Sequence, residues 1–192
     1  MKKLPGAALL LALAAPAPAQ PLKPGAAAPD FTLPSAADGK PVALKDLLAK
    51  NKAVAVIFVA TKCPVSNAYN ERMAALGKEY AARGIGLVGI NSNKTEPAAE
   101  VAGHAKSHGF TFPVLKDDGN KVADLYGATK TPEVYLIDPA GKLIYQGRID
   151  ENQDDPKNVK SPDLRNALDS VLAGKPVVTA QTKAFGCTIK RV

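Results

Sequence analysis

Two cysteines, Cys63 and Cys187, are the residues in this chain best suited to covalent chemistry, and they are the only two. Thiol–disulfide exchange needs a thiolate to attack, a disulfide in line with it, and usually a second thiol to release the product. Cys63 lies in Thr61-Lys62-Cys63-Pro64-Val65-Ser66-Asn67, after an apolar, β-branched run at residues 53–60 and before a segment with helical spacing. Strand, tight turn and helix follow one another, and the sulfur sits at the turn. There the free N–H groups and positive end of the helix favour thiolate over thiol, and Lys62 adds to that bias. Ser66 can donate a hydrogen bond to the sulfur but cannot resolve a mixed disulfide. Cys187 is the internal candidate for the second thiol. Thirteen residues separate it from Gly174, a tether of about 40 Å when extended, so reach is no obstacle. The alternative use of the pair is a permanent tie that holds down the tail, worth a few kcal/mol through the long loop it closes.

The rest of the chain must position these sulfurs. Its 192 residues suit one domain with a sizeable core. Residues 1–19 stand apart: Lys2 and Lys3, an apolar stretch at residues 6–15, and Ala17-Pro18-Ala19 make a secretory signal with a cut after Ala19. The apolar stretch is too short to span a bilayer, so no stable membrane insertion is expected. Export, periplasmic or to the outside, places both cysteines where disulfides persist. The formal charge of +7 falls to +5 once Lys2 and Lys3 leave. That excess is scattered, with no basic stripe interleaved with aromatics, so no nucleic-acid partner is implied.

Residues 20–29, rich in Pro and Ala, read as a flexible lead-in. Residues 30–44 read as a short hairpin turning at Ala37-Asp38-Gly39-Lys40, and residues 45–50 as a short helix. Residues 53–59 are too continuously apolar to be half exposed and predict a central strand. Val65, Tyr69, Met73, Leu76 and Tyr80 recur at helical spacing, with Gly84 as the stop. Residues 85–90 predict a second buried strand, parallel to the first across the helical crossover. Ala98, Val101, Ala102 and Ala105 mark a helix. A short strand at 112–115, a short helix near Val122, Leu125 and Tyr126, and a hairpin at residues 131–148 follow. Ser161 as N-cap and Pro162 in the first turn open the last helix. Residues 30–174 thus form the domain, and residues 175–192 a tail that carries Cys187.

Phe58-Val59-Ala60-Thr61-Lys62-Cys63 resembles the strand end of thioredoxin-like proteins, where a Phe-Trp-Ala run leads into Cys-x-x-Cys. On that alignment Cys63 takes the attacking position and Ser66 replaces the second cysteine. Together with Pro29-Asp30-Phe31-Thr32-Leu33 and Asp38-Gly39-Lys40, the chain is similar to redoxins with the alkyl hydroperoxide reductase/thiol-specific antioxidant domain, in the peroxiredoxin-like branch with Cys-Pro-Val-Ser-Asn. The resemblance implies an α/β, thioredoxin-like fold: a central mixed sheet flanked by helices, with an N-terminal β-hairpin. It implies that Thr131-Pro132 is a cis peptide beside the cysteine, with the backbone at Thr131 open to pairing with an extended peptide. Gly147-Arg148-Ile149-Asp150 resembles a segment of this branch, in which Arg148 either lines the site and favours a thiolate or is a surface charge. A late Gly-Cys followed by Ile-Lys, as at residues 186–190, also recurs there and favours Cys187 as resolver. The implied activity is that of an exported thiol–disulfide oxidoreductase acting on protein or small-molecule thiols and disulfides, with a separate reductant.

Peroxide reduction is the enzymatic rival, but the peroxiredoxin pattern wants Thr or Ser three residues before the cysteine, where this chain has Ala60; Thr61 is one residue late. A non-catalytic thiol- or copper-binding protein is the alternative from another class, since thiolates suit Cu(I), though the Cys-x-x-x-Cys of exported copper chaperones is absent. His104 and His108 stand four apart on a helix, a spacing that can hold a metal, without an Asp, Glu or Cys to complete a site. No organic cofactor is implied, because neither a Gly-rich phosphate loop nor a haem Cys-x-x-Cys-His occurs.

Overall fold

A computed structural model describes residues 22–192. The expected signal at residues 1–19 and the first two residues of the lead-in lie outside the described residues. Among those described, no helix is long and apolar enough to cross a membrane.

In chain order the elements are β1 (Thr32–Pro34), β2 (Pro41–Ala43), α1 (Leu44–Leu48), β3 (Val54–Phe58), α2 (Pro64–Ala68), α3 (Asn70–Ala81), β4 (Gly86–Asn91), α4 (Ala98–Ser107) and β5 (Val114–Lys116). Then come α5 (Lys121–Tyr126), β6 (Lys130–Thr131), β7 (Glu133–Ile137), β8 (Leu143–Gly147), a 3₁₀ turn at Pro156–Asn158, α6 (Asp163–Leu172) and β9 (Cys187–Thr188). Five strands form one mixed sheet in the order β5-β4-β3-β7-β8. β3 runs parallel to β4 and antiparallel to β7. β1 and β2 form the expected N-terminal hairpin.

The continuous apolar run of β3 is explained by its central place. Val54, Val56 and Phe58 pack in one layer with Tyr126, Tyr135 and Leu115, while Ala55, Ile57 and Val59 pack in the other with Met73, Leu76, Tyr80 and Leu164. Every residue of the strand is fully buried, and each of its larger side chains contributes roughly 1.5–3 kcal/mol relative to exposure. The Phe58, Tyr126 and Tyr135 rings meet at 5.2–6.0 Å in edge-on or tilted pairs, a geometry that aromatic quadrupoles favour.

Two expectations change. The single helix expected from Val65 to Tyr80 is broken at Tyr69, which caps α2 and opens α3 with φ −97° and ψ −1°. Its hydroxyl donates to the backbone oxygen and to Oδ1 of Asp150 at 3.1 and 3.0 Å, a tertiary pull that overrides helical propensity at that position. The last helix begins one residue later than expected: Pro162 is the cap, and the Ser161 hydroxyl donates to Asp163 Oδ1 at 2.7 Å.

The tail is docked on the sheet. Gln146 N donates to Ala180 O and Thr182 N to Gln146 O, both at 2.9 Å, so residues 180–182 lie against β8. The chain then crosses to β6, where β9 pairs antiparallel, Thr131 opposite Cys187 and Lys130 opposite Thr188.

Candidate functional site

β3 ends at Phe58, and the chain turns through residues 59–63 before α2 begins at Pro64. Cys63 is the cap of α2, with an extended backbone (φ −92°, ψ 116°), and its Sγ accepts from Ser66 N at 3.3 Å. Proline at the first helical position suits this start, since its φ is already helical and it has no N–H to leave unpaired. The residue is 3% exposed. Because α2 spans only five residues before the break at Tyr69, its dipole is short. What favours a thiolate here is chiefly the single Ser66 N–H, a hydrogen bond to the charged form.

The expected partner is present. Cys63 and Cys187 form a disulfide, with Cα atoms 5.8 Å apart and 124 residues between them in sequence. The Thr131 carbonyl oxygen lies 3.3 Å from Cys63 Sγ. In the reduced protein a thiol there can donate to it, which favours the neutral form and opposes the Ser66 N–H. The Thr131–Pro132 peptide is cis. Thr131 pairs with Cys187 and its carbonyl meets Cys63, so Cys63, Ser66, Thr131, Pro132 and Cys187 come together at one rim of the sheet. Thr131 Oγ1 is buried and lacks a hydrogen-bond partner among the described residues.

Three roles expected from sequence are corrected. The Ser66 hydroxyl makes no hydrogen bond to the sulfur; it accepts from Ala60 N at 3.2 Å and closes the turn, and the contact to Cys63 comes from the Ser66 backbone. Arg148 does not line the site: its Nε bonds Asp163 Oδ2 at 2.6 Å at the start of α6. Burial opposes its charge, but the bond to Asp163 and the charges around it raise the guanidinium pKa further. Lys62 is engaged with Glu100 at 2.9 Å and with Thr95 O at 3.0 Å, so its charge is largely answered before it reaches the sulfur.

Sequence reasoning missed Glu96. Its buried carboxylate accepts from Thr61 N at 2.8 Å, Lys62 N at 3.1 Å, Asn91 Nδ2 at 2.6 Å and Asn93 Nδ2 at 3.1 Å. Burial works against ionisation, but the hydrogen bonds from Thr61, Asn91, Asn93 and Lys62 outweigh it and hold this carboxyl below the usual glutamate range. The Thr61 hydroxyl is likewise bonded to Glu100. The loop before Cys63 is thus tied to the residues after β4. A polar run that ends and follows a buried parallel strand, Asn91-Ser92-Asn93-Lys94-Thr95-Glu96, was the available signal, because such strand ends are where α/β sheets place their sites.

Glu96→Ala is expected to cost about 3 kcal/mol, since it strands two backbone N–H groups and two buried amides. Urea denaturation checks this. Because the folded pKa lies below the unfolded one, the contribution is present above the ordinary glutamate pKa and is lost as pH falls through the folded value.

The His104 and His108 rings form a tilted pair with centroids 4.2 Å apart. His104 Nε2 lies 3.0 Å from Asn67 Oδ1, and Asn67 Nδ2 donates to Thr61 O at 2.9 Å. Burial, then the neighbouring His108 charge, lowers the His104 pKa. Among the described residues no group of three or more His, Cys, Asp or Glu is placed to hold a metal ion. A cleft bordered by Lys62, Asn93, Thr95, Glu96 and Lys190 leads to both sulfurs; Cys187 is the more exposed of the two.

The sequence profile described as the AhpC/TSA family matches residues 24–146, so the tail with Cys187 lies beyond the match. The thiol-disulfide oxidoreductase ResA of Bacillus subtilis is 33% identical over 120 residues, which cover 62% of this chain and 64% of that protein. The chain therefore spans a little under two thirds of the length of that relative. Among solved structures, a hypothetical protein of Sinorhizobium meliloti 1021 matches at 36% identity and a TM-score of 0.83, over 90% of this chain and 97% of that one. A thiol:disulfide interchange protein of the thioredoxin family from Chlorobium tepidum matches at 27% identity and a TM-score of 0.60, over 81% of this chain and 99% of its own. The fold is thioredoxin-like.

Proposed function

The chain belongs to the AhpC/TSA family, and on that premise we propose that it is a thiol–disulfide oxidoreductase with Cys63 as nucleophile and Cys187 as its resolving thiol. The observation that carries this reading is the pairing of the two sulfurs beside Thr131-Pro132, with Ser66 N–H on one side of Cys63 and the Thr131 carbonyl on the other. Exchange at such a pair proceeds in two displacements. A Cys63 thiolate attacks a disulfide sulfur, one new S–S bond forms, and the old bond leaves with its electron pair as a thiolate. Cys187 then attacks Cys63 Sγ and releases the second thiolate, so two electrons have passed from the protein dithiol to the partner.

Peroxide is the weaker substrate. The place where the peroxiredoxin pattern wants a hydroxyl is Ala60, the Thr61 hydroxyl is bonded to Glu100, and the Ser66 hydroxyl accepts from Ala60 N. Residues 1–19 are read as an export signal, which would deliver both cysteines to a compartment where a disulfide persists.

In Cys187→Ser protein, mixing with a disulfide substrate is expected to trap a stable adduct on Cys63, read by peptide mass after alkylation. An adduct that resolves as fast as in the parent would remove Cys187 from the mechanism, and stopped-flow detection of sulfenic acid on Cys63 with rapid peroxide loss would favour the rival.

A further inference from the structure

We propose that the oxidised protein is reduced through the cleft beside Cys187, and that the reductant is a small thiol carrying negative charge, which attacks Cys187 and expels Cys63. Resting on the redox role of Cys63 given above, this names the class of partner that returns the pair to its dithiol form.

The two sulfurs of the bond are not equally open to attack. Cys63 is 3% exposed, whereas Cys187 is partly exposed where the cleft reaches it. Nor are they equal as leaving groups. Attack on Cys187 expels Cys63, whose sulfur already accepts from Ser66 N at 3.3 Å. Attack on Cys63 would expel Cys187, whose sulfur accepts no hydrogen bond among the described residues. A stabilised thiolate leaves faster, so access and chemistry select the same sulfur.

The cleft has a volume of about 310 Å³, at the small end of ligand sites, which suits a compact thiol. Its charge is lopsided. Lys190 lines it, Lys130 Nζ donates at 3.1 Å to Oγ1 of Thr188 in its wall, and Lys94 stands between Asn93 and Thr95, which also line it. None of these three lysines pairs with a carboxylate among the described residues. The nearby carboxylates are already answered. Glu96 accepts from Thr61 N, Lys62 N, Asn91 and Asn93, and Glu100 is bonded to Lys62 and the Thr61 hydroxyl. A cleft rimmed by one sign of charge concentrates ions of the other sign and speeds their arrival.

Reduction consumes two small thiolates. The first attacks Cys187 Sγ; a new S–S bond forms as the Cys63–Cys187 bond breaks, and its electron pair leaves on Cys63. The second attacks the small thiol's sulfur in that mixed disulfide and expels the Cys187 thiolate. One small disulfide departs, two electrons have entered the protein, and Cys63 is free to attack the next substrate.

The test uses the full oxidised chain and three thiols of similar size, compared per mole of thiolate: anionic 2-mercaptoethanesulfonate, neutral 2-mercaptoethanol and cationic cysteamine. Acid quench, alkylation and intact mass read the loss of the disulfide; peptide mass locates the transient adduct. At an ionic strength of about 0.01 M, where charges are felt over about 30 Å, the sulfonate is expected to react at least about fivefold faster than the neutral thiol. Cysteamine is expected to be slower still, and the adduct to sit on Cys187. At about 1 M salt, where screening acts within about 3 Å, the three rates should fall within about twofold of one another. Lys190→Gln is expected to narrow the low-salt ratio of anionic to neutral thiol, and Lys94→Glu combined with Lys190→Glu to invert it. Both side chains are exposed, and the bonds that Lys94 and Lys190 make to each other and to Asn93 use their main chains. Equal rates for the three thiols at low salt, or a ratio unmoved by both variants, overturns the charge selection. An adduct on Cys63 overturns the point of entry. Either result leaves Cys63 as nucleophile of the forward reaction, whereas absence of any Cys63 adduct when Cys187→Ser protein meets a disulfide substrate overturns the redox role itself and the proposal with it.

Discussion

Cys63→Ser is expected to lower the rate of thiol–disulfide exchange by at least about a thousandfold, leaving only a slow adduct on the remaining thiol, Cys187. A serine hydroxyl is not ionised near neutral pH, and the Ser66 N–H that steadies a thiolate cannot make it a comparable nucleophile. Cys187→Ser should differ in kind: the first displacement survives and the second stops, so one equivalent of substrate thiol is released and turnover ends. Comparison of single-turnover and steady-state rates for the two variants separates these outcomes. Equal loss in both would mean that the pair is a staple and that the chemistry lies elsewhere. The buried state of Cys63 sharpens the contrast, since a reagent that cannot displace the tail should label reduced Cys187 before it labels Cys63.

Reduction of the Cys63–Cys187 bond is expected to lower the melting temperature by about 10 °C or more. The bond closes a loop of 124 residues, for which the chain-entropy argument gives about 5 kcal/mol as an upper figure. At roughly 2–4 °C per kcal/mol for a chain of this size, that spans about 10–20 °C. Melting curves with and without dithiothreitol, read by circular dichroism, measure it. A shift below about 2 °C would show that the unfolded chain gains little freedom when the bond is cut.

What could be read in the sequence is what repeats or is locally determined. β3 was legible because seven consecutive apolar residues have no other place than a sheet covered on both faces. Its parallel pairing with β4 followed from the helical crossover. The break at Tyr69 was not, because Val65, Tyr69, Met73, Leu76 and Tyr80 keep helical spacing on either side of it, and the cause is a hydroxyl bonded to Asp150, 81 residues away. Cys63 at the strand-to-helix turn was legible for the same local reason as β3. The uses of Ser66 and Arg148 were not: each side chain had two chemically sensible partners, and only the packing of Ala60 N and of α6 decided between them. Glu96 escaped notice because a carboxylate that ties loops together carries no periodicity. The register of β9 on β6 was equally hidden, since strands of two residues give no alternation to read, although the resemblance pointed to Thr131 as a place where an extended strand could pair.

The tail joins two things that the sheet keeps apart. Phe185 packs with the layer that holds Tyr69, Met73 and Leu164, whereas Ile189 packs with the layer that holds Phe58 and Tyr126. Five residues of chain thus wrap the rim and clamp both faces, with the disulfide midway between the two grips. Electron transfer at that bond consequently has a mechanical reach wider than its own neighbourhood. When it opens, the clamp rests on the packing of Phe185 and Ile189 alone, so the oxidation state of one sulfur pair sets how firmly layers on opposite sides of the sheet are fastened together.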